Sequence, residues 1–165
     1  PSVTFDGQAQ SGVNEQVPYP KRWYCDYPRT KAEGERYVLE CAKQGRIAAC
    51  ALRPHLIWGN GDPHLIPRII QRFRTGRLRS VGNGTNRIDT VHVKNAAWSH
   101  VLALESLSSH HSPANGHAYF ITDDDPIECW DWIAQLLQAH QLTPRRRTIP
   151  MGVAYSIGAM LETIY

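Results

Sequence analysis

The sequence lacks three patterns that would point directly to a class of protein. Its four cysteines form no C-x-x-C pair, which disfavours a structural zinc site and a disulfide framework. No apolar run approaches the roughly 20 residues that cross a bilayer, and no signal peptide is visible. The net charge of +3 is too small for a surface dedicated to nucleic acid. We therefore expect a cytoplasmic protein with free thiols, no nucleic-acid partner and no transmembrane segment.

A metal-binding pattern and a dinucleotide-binding loop are also missing. The eight histidines contain no H-x-x-x-H or H-E-x-x-H spacing, so we expect no metal site. The G-x-G sequences at 59–61 and 82–84 do not continue as G-x-G-x-x-G between a strand and a helix. The chain starts at Pro1 without a methionine and stops at Tyr165 within a helical pattern. These features predict a C-terminal fragment of a longer chain.

Short apolar runs alternate with amphipathic stretches, which is typical of α/β proteins. A turn-rich loop over 6–26 separates a predicted strand end at 1–5 from a predicted helix over 28–44. The continuous apolar run over 47–52 then predicts a strand buried on both faces, as in a parallel sheet. Strand, helix and strand in this order form a βαβ unit. Further along, the patterns predict helices at 65–73, 96–107, 127–139 and 151–165, and short strands at 79–82, 88–93 and 118–122.

One motif carries chemistry, because Tyr27 and Lys31 are spaced as Y-x-x-x-K. Residues four apart lie on the same face of a helix. A phenol with a reference pKa of about 10 gives up its proton poorly at neutral pH, but a nearby ammonium favours the phenolate. The partial positive charge of a helix N-terminus, where Pro28 places the motif, acts in the same direction. The pair thus predicts proton exchange with a substrate hydroxyl or carbonyl while hydride moves to or from a nicotinamide.

The motif alone leaves its role open. In a chain with seven tyrosines, a Y-x-x-x-K can arise by chance, so an exposed pair without a catalytic role is the alternative. Pro28 also disfavours helical angles in the residue before it. We therefore expect Tyr27 at the cap of the helix and not inside it.

Sequence blocks around the motif resemble the 3β-hydroxysteroid dehydrogenase family of extended short-chain dehydrogenases. They occur in the family's order and spacing, and the resemblance covers nearly the whole chain. It implies an α/β fold that is the C-terminal part of an NAD(P)-binding Rossmann fold, with a smaller substrate domain. The four blocks are PSVTFDG at 1–7, YPRTKAE at 27–33, LRPHLIWG at 52–59 and DTVHVKNA at 89–96.

The resemblance implies roles for four residues. Tyr27 would be the general acid/base, and Lys31 would favour its phenolate and bind the nicotinamide ribose hydroxyls. Pro54 and His55 would lie against the nicotinamide end of NAD or NADP, beyond the carboxyl end of a strand, where ligands of open α/β sheets bind. A loop histidine without a ligand is the alternative for His55.

Other parts of the family's site fall outside this sequence. The catalytic Ser or Thr should come immediately before Pro1, and Ser2 is only a fallback. The glycine-rich loop and the residue that selects NAD or NADP are not found. Residues 1–60 would be the end of the dinucleotide-binding domain, and 61–165 a mixture of substrate-domain and remaining sheet elements. We expect the fragment alone to be inactive and the function to belong to the parent chain.

An apolar substrate fits the sequence better than a nucleotide sugar. Related extended enzymes place a diphosphate-binding arginine just before the 89–96 block, where this chain has Ile88. The segments at 51–59 and 64–68 are similar to bacterial enzymes of olefin biosynthesis that reduce 2-alkyl-3-oxoalkanoates. A β-keto or β-hydroxy acid is the expected substrate. The alternative is a sterol, such as a 4α-carboxysterol, whose 3β-hydroxyl is oxidised.

A non-catalytic protein that binds a dinucleotide on the same fold is a further alternative, although the intact Tyr27 and Lys31 pair counts against it. The arginines within 68–79 and at 145–147 favour solvated surfaces over a phosphate site. The sequence leaves open the choice between NAD and NADP, the direction of the reaction and the oligomeric state, including a homo-oligomer.

Overall fold

The chain alternates helices with short strands, as predicted. The computed structural model describes residues 2–164, and the side chains of residues 3–160. A 3-10 turn at Ser2–Thr4 precedes five helices and eight strands within the described part of the chain. The helices are α1 (Asp26–Lys43), α2 (Leu65–Arg74), α3 (Val93–Leu107), α4 (Cys129–Ala139) and α5 (Met151–Ile164). The strands are β1 (Ala51–Pro54), β2 (Ile57–Trp58), β3 (Ser80–Val81), β4 (Arg87–Ile88), β5 (Val91–His92), β6 (Ala118–Ile121), β7 (Ile127–Glu128) and β8 (Thr148–Ile149).

The chain divides into two units. Unit 1 contains residues 1–57 and 90–123, and unit 2 contains residues 58–89 and 124–165. The division into residues 1–60 and 61–165 expected from the sequence stays a prediction. No helix within the described residues is long and apolar enough to cross a membrane.

Unit 1 is built on a parallel strand pair. Strands β1 and β6 pair in register from Ala51 with Ala118 to Pro54 with Ile121. Helix α1 packs against β1 and the turn at the start of the chain, and it buries Ala32, Cys41 and Ala42. As expected, α1 ends before Gly45, whose φ of 70° suits a glycine just past a helix.

The first predicted strand, at 1–5, is wrong, because Ser2–Thr4 forms a 3-10 turn. Val3 and Thr4 are buried, and the Thr4 carbonyl accepts a hydrogen bond of 2.7 Å from the Gln10 side chain. A side chain of the following loop therefore satisfies this carbonyl, where a strand would use a neighbouring strand.

The strand predicted at 47–52 is displaced towards the C-terminus. Ladder pairing starts at Ala51, and Ile47 is 46% exposed, so burial on both faces is wrong for the described structure. Before the ladder, Ala49 bonds to the turn that leads into β6. Its N–H donates to Asn115 Oδ1, and its carbonyl accepts from Gly116 N. The first apolar residues of the run thus serve as a connection between α1 and β1.

Unit 2 has an aromatic and aliphatic core between α2 and α4. Trp58 meets Trp132 edge to face, with ring centroids 6.2 Å apart. Strand β3 pairs with β8 in parallel, and β4 pairs with β7 antiparallel, so β3 and β4 do not pair across the turn between them. The helix predicted at 127–139 begins later, because its first two residues form β7. The buried core residues of unit 2 are Ile69, Trp132, Ile133, Leu136 and Leu137.

Asp62 fixes the start of α2. Its carboxylate accepts hydrogen bonds from the backbone N–H groups of His64, Leu65 and Ile66, at 2.9, 3.1 and 2.7 Å. Such N–H groups have no acceptor within the helix itself. Slight burial opposes the charged carboxylate, but these hydrogen bonds outweigh it and lower the pKa of Asp62 below the ordinary value of 3.8.

We expect Asp62→Ala to lower the free energy of unfolding by about 1 kcal/mol near neutral pH, because the N–H groups of His64, Leu65 and Ile66 lose their acceptor. Since the pKa is lowered in the folded state, the stabilisation is present above the ordinary value and is lost as pH falls through the lowered pKa. Urea denaturation of the full-length protein at about pH 7 and about pH 3 measures both effects. An equal difference between wild type and variant at the two pH values would contradict this assignment.

Candidate active site

Helix α1 carries both residues of the Y-x-x-x-K motif. Cys25 is the extended residue before the helix, with φ of −158°, so Tyr27 is the second helical residue. The expectation that Tyr27 lies at the cap is therefore wrong. Pro28 is tolerated as the third residue, because the first four N–H groups of a helix have no acceptor within the helix and proline removes none of its bonds. The Tyr27 carbonyl accepts a hydrogen bond of 3.1 Å from the Thr30 hydroxyl.

Tyr27 and Lys31 lie next to each other on the surface of α1. The Lys31 Nζ is 5.9 Å from the centre of the Tyr27 ring. Tyr27 is 64% exposed and Lys31 is also exposed, so both functional groups are open to an incoming molecule. The pair can therefore place a phenol and an ammonium against the same ligand.

Basic residues surround the start of α1. An open concavity of about 520 Å³ lies there. Three of its side chains carry positive charge and one, Asp26, carries negative charge, so its surface is net positive. Its lining residues are Lys21, Arg22, Trp23, Cys25, Asp26 and Arg29.

Pro54 is the last residue of β1, and His55 follows it at the carboxyl end of the strand. The His55 N–H donates to the Ile121 carbonyl at 3.2 Å and continues the β1–β6 ladder by one bond. The next residue, Leu56, has φ of 36°, in the left-handed region that costs a side chain with a Cβ energy. The Leu56 carbonyl accepts from Val91 N at 3.3 Å, so the chain turns sharply and leaves the sheet after His55.

A buried ion pair joins α1 to β1. The Arg53 Nε is 3.1 Å from both carboxylate oxygens of Glu35, and Nη2 is 2.6 Å from Oε1. The Arg53 and Glu35 side chains are only 5% and 10% exposed. The Tyr19 hydroxyl donates to the same Glu35 oxygen at 2.5 Å. These three residues therefore connect the loop before α1, the helix itself and the strand that leads to Pro54.

The surroundings of this cluster shift the pKa values of Tyr19 and Arg53. Burial and the hydrogen bond to Glu35 raise the pKa of Tyr19 above its ordinary value, so its hydroxyl stays a neutral donor. Burial opposes the charge on Arg53, but the hydrogen bonds and charge of Glu35 outweigh it and raise the pKa of Arg53. The Arg53 guanidinium therefore keeps its positive charge.

The sequence contained two signals for this cluster that motif reading missed. Glu35 follows Lys31 by four residues and so shares its face of α1. Arg53 is a charged residue next to an apolar strand run, and a buried charge requires a partner. A search for an acidic partner on the preceding helix would have found the pair.

The 89–96 block holds the end of β6 to the start of α3. The Asp123 carboxylate accepts from His92 N at 2.8 Å and from the Asn95 side chain at 2.7 Å. The Asp123 N–H in turn donates to the Thr90 carbonyl at 2.9 Å. This block therefore has a structural role in unit 1. Among the described residues, no group of three or more His, Cys, Asp or Glu side chains could hold a metal ion.

Comparison with curated proteins finds close relatives. The chain is 40% identical to a 2-alkyl-3-oxoalkanoate reductase of Shewanella oneidensis over 100% of its length, and covers 44% of that protein. A second 2-alkyl-3-oxoalkanoate reductase, from Stenotrophomonas maltophilia, is 42% identical over 92% of the chain, which covers 45% of that protein. A sterol-4-alpha-carboxylate 3-dehydrogenase of Mus musculus is 34% identical over 99% of the chain, with 45% of that protein covered. The chain thus spans less than half the length of these relatives.

Solved structures show the same fold. A UDP-glucuronic acid 4-epimerase from Bacillus cereus, in complex with NAD, superposes with a TM-score of 0.71 at 21% identity, over 90% of this chain and 47% of that one. A Pseudomonas aeruginosa protein complexed with NADPH gives a TM-score of 0.63 at 19% identity, over 91% of this chain and 52% of that one. The expected α/β fold of Rossmann type is therefore confirmed.

A sequence profile identifies the family that the four sequence blocks resemble. Residues 2–151 match the profile of the 3-beta hydroxysteroid dehydrogenase/isomerase family. This match and the 40% identical relative each cover most of the chain. The chain belongs to the 3-beta hydroxysteroid dehydrogenase/isomerase family.

Proposed function

We propose that the protein is an NAD(P)-dependent oxidoreductase that acts on the CH–OH or C=O group of an apolar substrate. The observation that carries the proposal is the exposed Tyr27 and Lys31 pair on α1, with Nζ 5.9 Å from the phenol ring, in a chain of this family. The function belongs to the full-length protein, and the cytoplasmic location expected from the sequence is part of the same proposal.

The residues present fit the nicotinamide end of NAD(P). Lys31 offers three N–H donors and Tyr27 a hydroxyl on one exposed face of α1, and both suit the ribose hydroxyls. Pro54 and His55, at the carboxyl end of β1, are where a ligand of such a sheet binds. The bound dinucleotide supplies or accepts the hydride. The relatives solved with NAD and with NADPH leave both cofactors in the proposal.

Tyr27 is the residue that moves the proton. In the reductive direction its hydroxyl donates a proton to the substrate oxygen, and in the oxidative direction its oxygen accepts that proton. Negative charge then develops on Tyr27 Oη, and the Lys31 ammonium stabilises it from the same face of α1. Proton transfer by a positioned side chain contributes about 10²- to 10⁴-fold to the rate.

A 2-alkyl-3-oxoalkanoate is the proposed substrate, and its 3-keto group is reduced to a hydroxyl. The relatives at 40% and 42% identity carry this activity in their names. The second candidate is oxidation of the 3β-hydroxyl of a 4α-carboxysterol, which the 34% identical mouse protein favours. Both substrates present an oxygen at carbon 3 on an apolar body, so the same proton transfer serves either.

We expect Tyr27→Phe to lower kcat by about 10²- to 10⁴-fold, because it removes only the hydroxyl that exchanges the proton. NAD(P)H absorbance kinetics on the full-length protein, with 2-alkyl-3-oxo acids and 4α-carboxy-3β-hydroxysterols, measure the effect and choose between the substrates. Tyr37→Phe is the matched control, because Tyr37 is a 65% exposed tyrosine on the same helix. Turnover of one class that survives Tyr27→Phe would exclude this mechanism and favour a non-catalytic role for the pair.

We expect Lys31→Met to raise the KM for NAD(P)H and to lower kcat, each by about tenfold or more, because the variant keeps the length of the side chain and loses its charge and donors. Initial rates over a range of NAD(P)H concentrations separate the two effects. Lys43→Met, at the exposed end of the same helix, serves as the control. A Lys31 variant with unchanged KM and kcat would remove Lys31 from the site.

A further inference from the structure

We propose that the Arg53–Glu35–Tyr19 cluster is a positioning device that fixes the rotation and height of α1 against β1, and thereby the location of Tyr27 and Lys31 relative to Pro54 and His55. The inference rests on the proposed function, since it explains how the four residues of that site are held. None of the three residues touches the reacting atoms, so they are positioning residues and not catalytic ones.

The placement of the two charges supports this role. Glu35 lies one helical turn beyond Lys31, on the same face of α1. Arg53 is the residue immediately before Pro54 in β1. The ion pair therefore connects a point one turn from the motif to a point next to the carboxyl end of the strand. Each residue of the pair is therefore near one part of the site in sequence: Glu35 near Lys31, and Arg53 near Pro54.

The contact between Arg53 and Glu35 requires one relative orientation of the two side chains. The Arg53 guanidinium is planar, and its Nε and Nη2 both reach the Glu35 carboxylate. A helix advances by about 1.5 Å and turns by about 100° for each residue, so a slip of one residue would break every bond of the pair. The buried contact thus permits one register of α1 on β1.

Aromatic rings hold the guanidinium in place. The Arg53 Cζ is 5.6 Å from the centre of the Tyr19 ring and 5.5 Å from that of Phe120 in β6. The Phe120 N–H donates to the Glu15 carboxylate at 2.8 Å, so the loop before α1 is also tied to β6. Loop, helix and both strands of the β1–β6 pair therefore meet at Arg53.

Stability alone is a poor explanation for the cluster. Transfer of both charges out of water costs about as much as a buried ion pair regains, and apolar replacements are often as stable. Here the balance is less favourable still, because the buried Arg53 Nη1 has no hydrogen-bond partner among the described residues. What an apolar contact would not supply is the directional match between guanidinium and carboxylate.

A second ion-pair cluster on α1 provides a contrast. Arg29 pairs with Asp26 and with Glu33, each at 3.0 Å, but all three residues belong to α1 and none of them is buried. Such pairs contribute little to stability and cannot orient the helix against another element. Glu33→Gln is therefore the matched control for substitutions at Glu35.

The test uses the full-length protein and the Glu35→Gln/Arg53→Met double variant. This variant leaves no unpaired buried charge and keeps an amide partner for the Tyr19 hydroxyl. We expect a melting temperature within a few degrees of wild type and a kcat lowered by about tenfold or more, because small misplacements of catalytic groups cost up to about 100-fold. The KM for the substrate should change much less than kcat. Glu33→Gln should leave the melting temperature, kcat and KM unchanged.

Arg53→Lys provides the second measurement. It keeps the positive charge and the fold but loses the two-pronged contact, so we expect kcat between those of wild type and the double variant. A kcat within twofold of wild type in both folded variants would overturn the proposal. A loss of kcat that is fully explained by a smaller folded fraction of the variant would also overturn it. If the double variant does not fold, the kcat of Arg53→Lys decides.

Tyr27→Phe in the same series separates the two proposals. If Tyr27→Phe abolishes turnover and the Arg53 variants match wild type, the positioning role is wrong and the proposed function stands. If Tyr27→Phe retains turnover, the proposed function is wrong and the positioning role falls with it. If turnover is lost in Tyr27→Phe and reduced in the Arg53 variants with the substrate KM preserved, both proposals are supported.

Discussion

Two opposite charges with almost no access to water lie between α1 and β1, and unit 1 is organised around them. Removing an ion from water costs several kcal/mol, so Arg53 and Glu35 must remain together in any folded state of this unit. Their contact fixes which turn of α1 faces β1. The Tyr19 hydroxyl and the Phe120 ring then bring the preceding loop and β6 to the same point.

Helix α1 carries exposed and buried functional groups at different positions along its length. Tyr27 and Lys31 are exposed at the beginning of α1, where a ligand can reach them, while Glu35 is buried further along the same helix. One helix thus carries the exposed pair at one end and its attachment to β1 at its middle. In β1, the buried Arg53 is followed directly by the half-buried Pro54 and His55. Unit 2 has its own core of Trp132, Ile133, Leu136 and Leu137, together with Ile69.

Sequence reasoning worked where local patterns decide the structure. Helix α2, the strand at β6 and the motif on α1 follow from periodicity, propensity and spacing. Sequence reasoning failed where residues far apart in the chain determine the local structure. The strand predicted at 47–52 begins only at Ala51, because Asn115 and Gly116, far along the chain, form hydrogen bonds with Ala49. Tyr27 lies inside α1 although Pro28 follows it, because a proline in the first turn removes no helical hydrogen bond. The Arg53 and Glu35 pair joins two elements, so its two sequence signals lie 18 positions apart and belong to no single motif.

The Glu15 contact with Phe120 has a consequence for how the molecule is made. The two residues are 105 positions apart, so the loop before α1 cannot reach its final anchor until β6 has left the ribosome. The β1–β6 ladder is likewise parallel and long in sequence, a kind of pairing that forms slowly. During synthesis, Arg53 and Glu35 can meet long before the Phe120 ring arrives. The contacts that hold α1 are therefore completed in two stages, and the second stage requires β6.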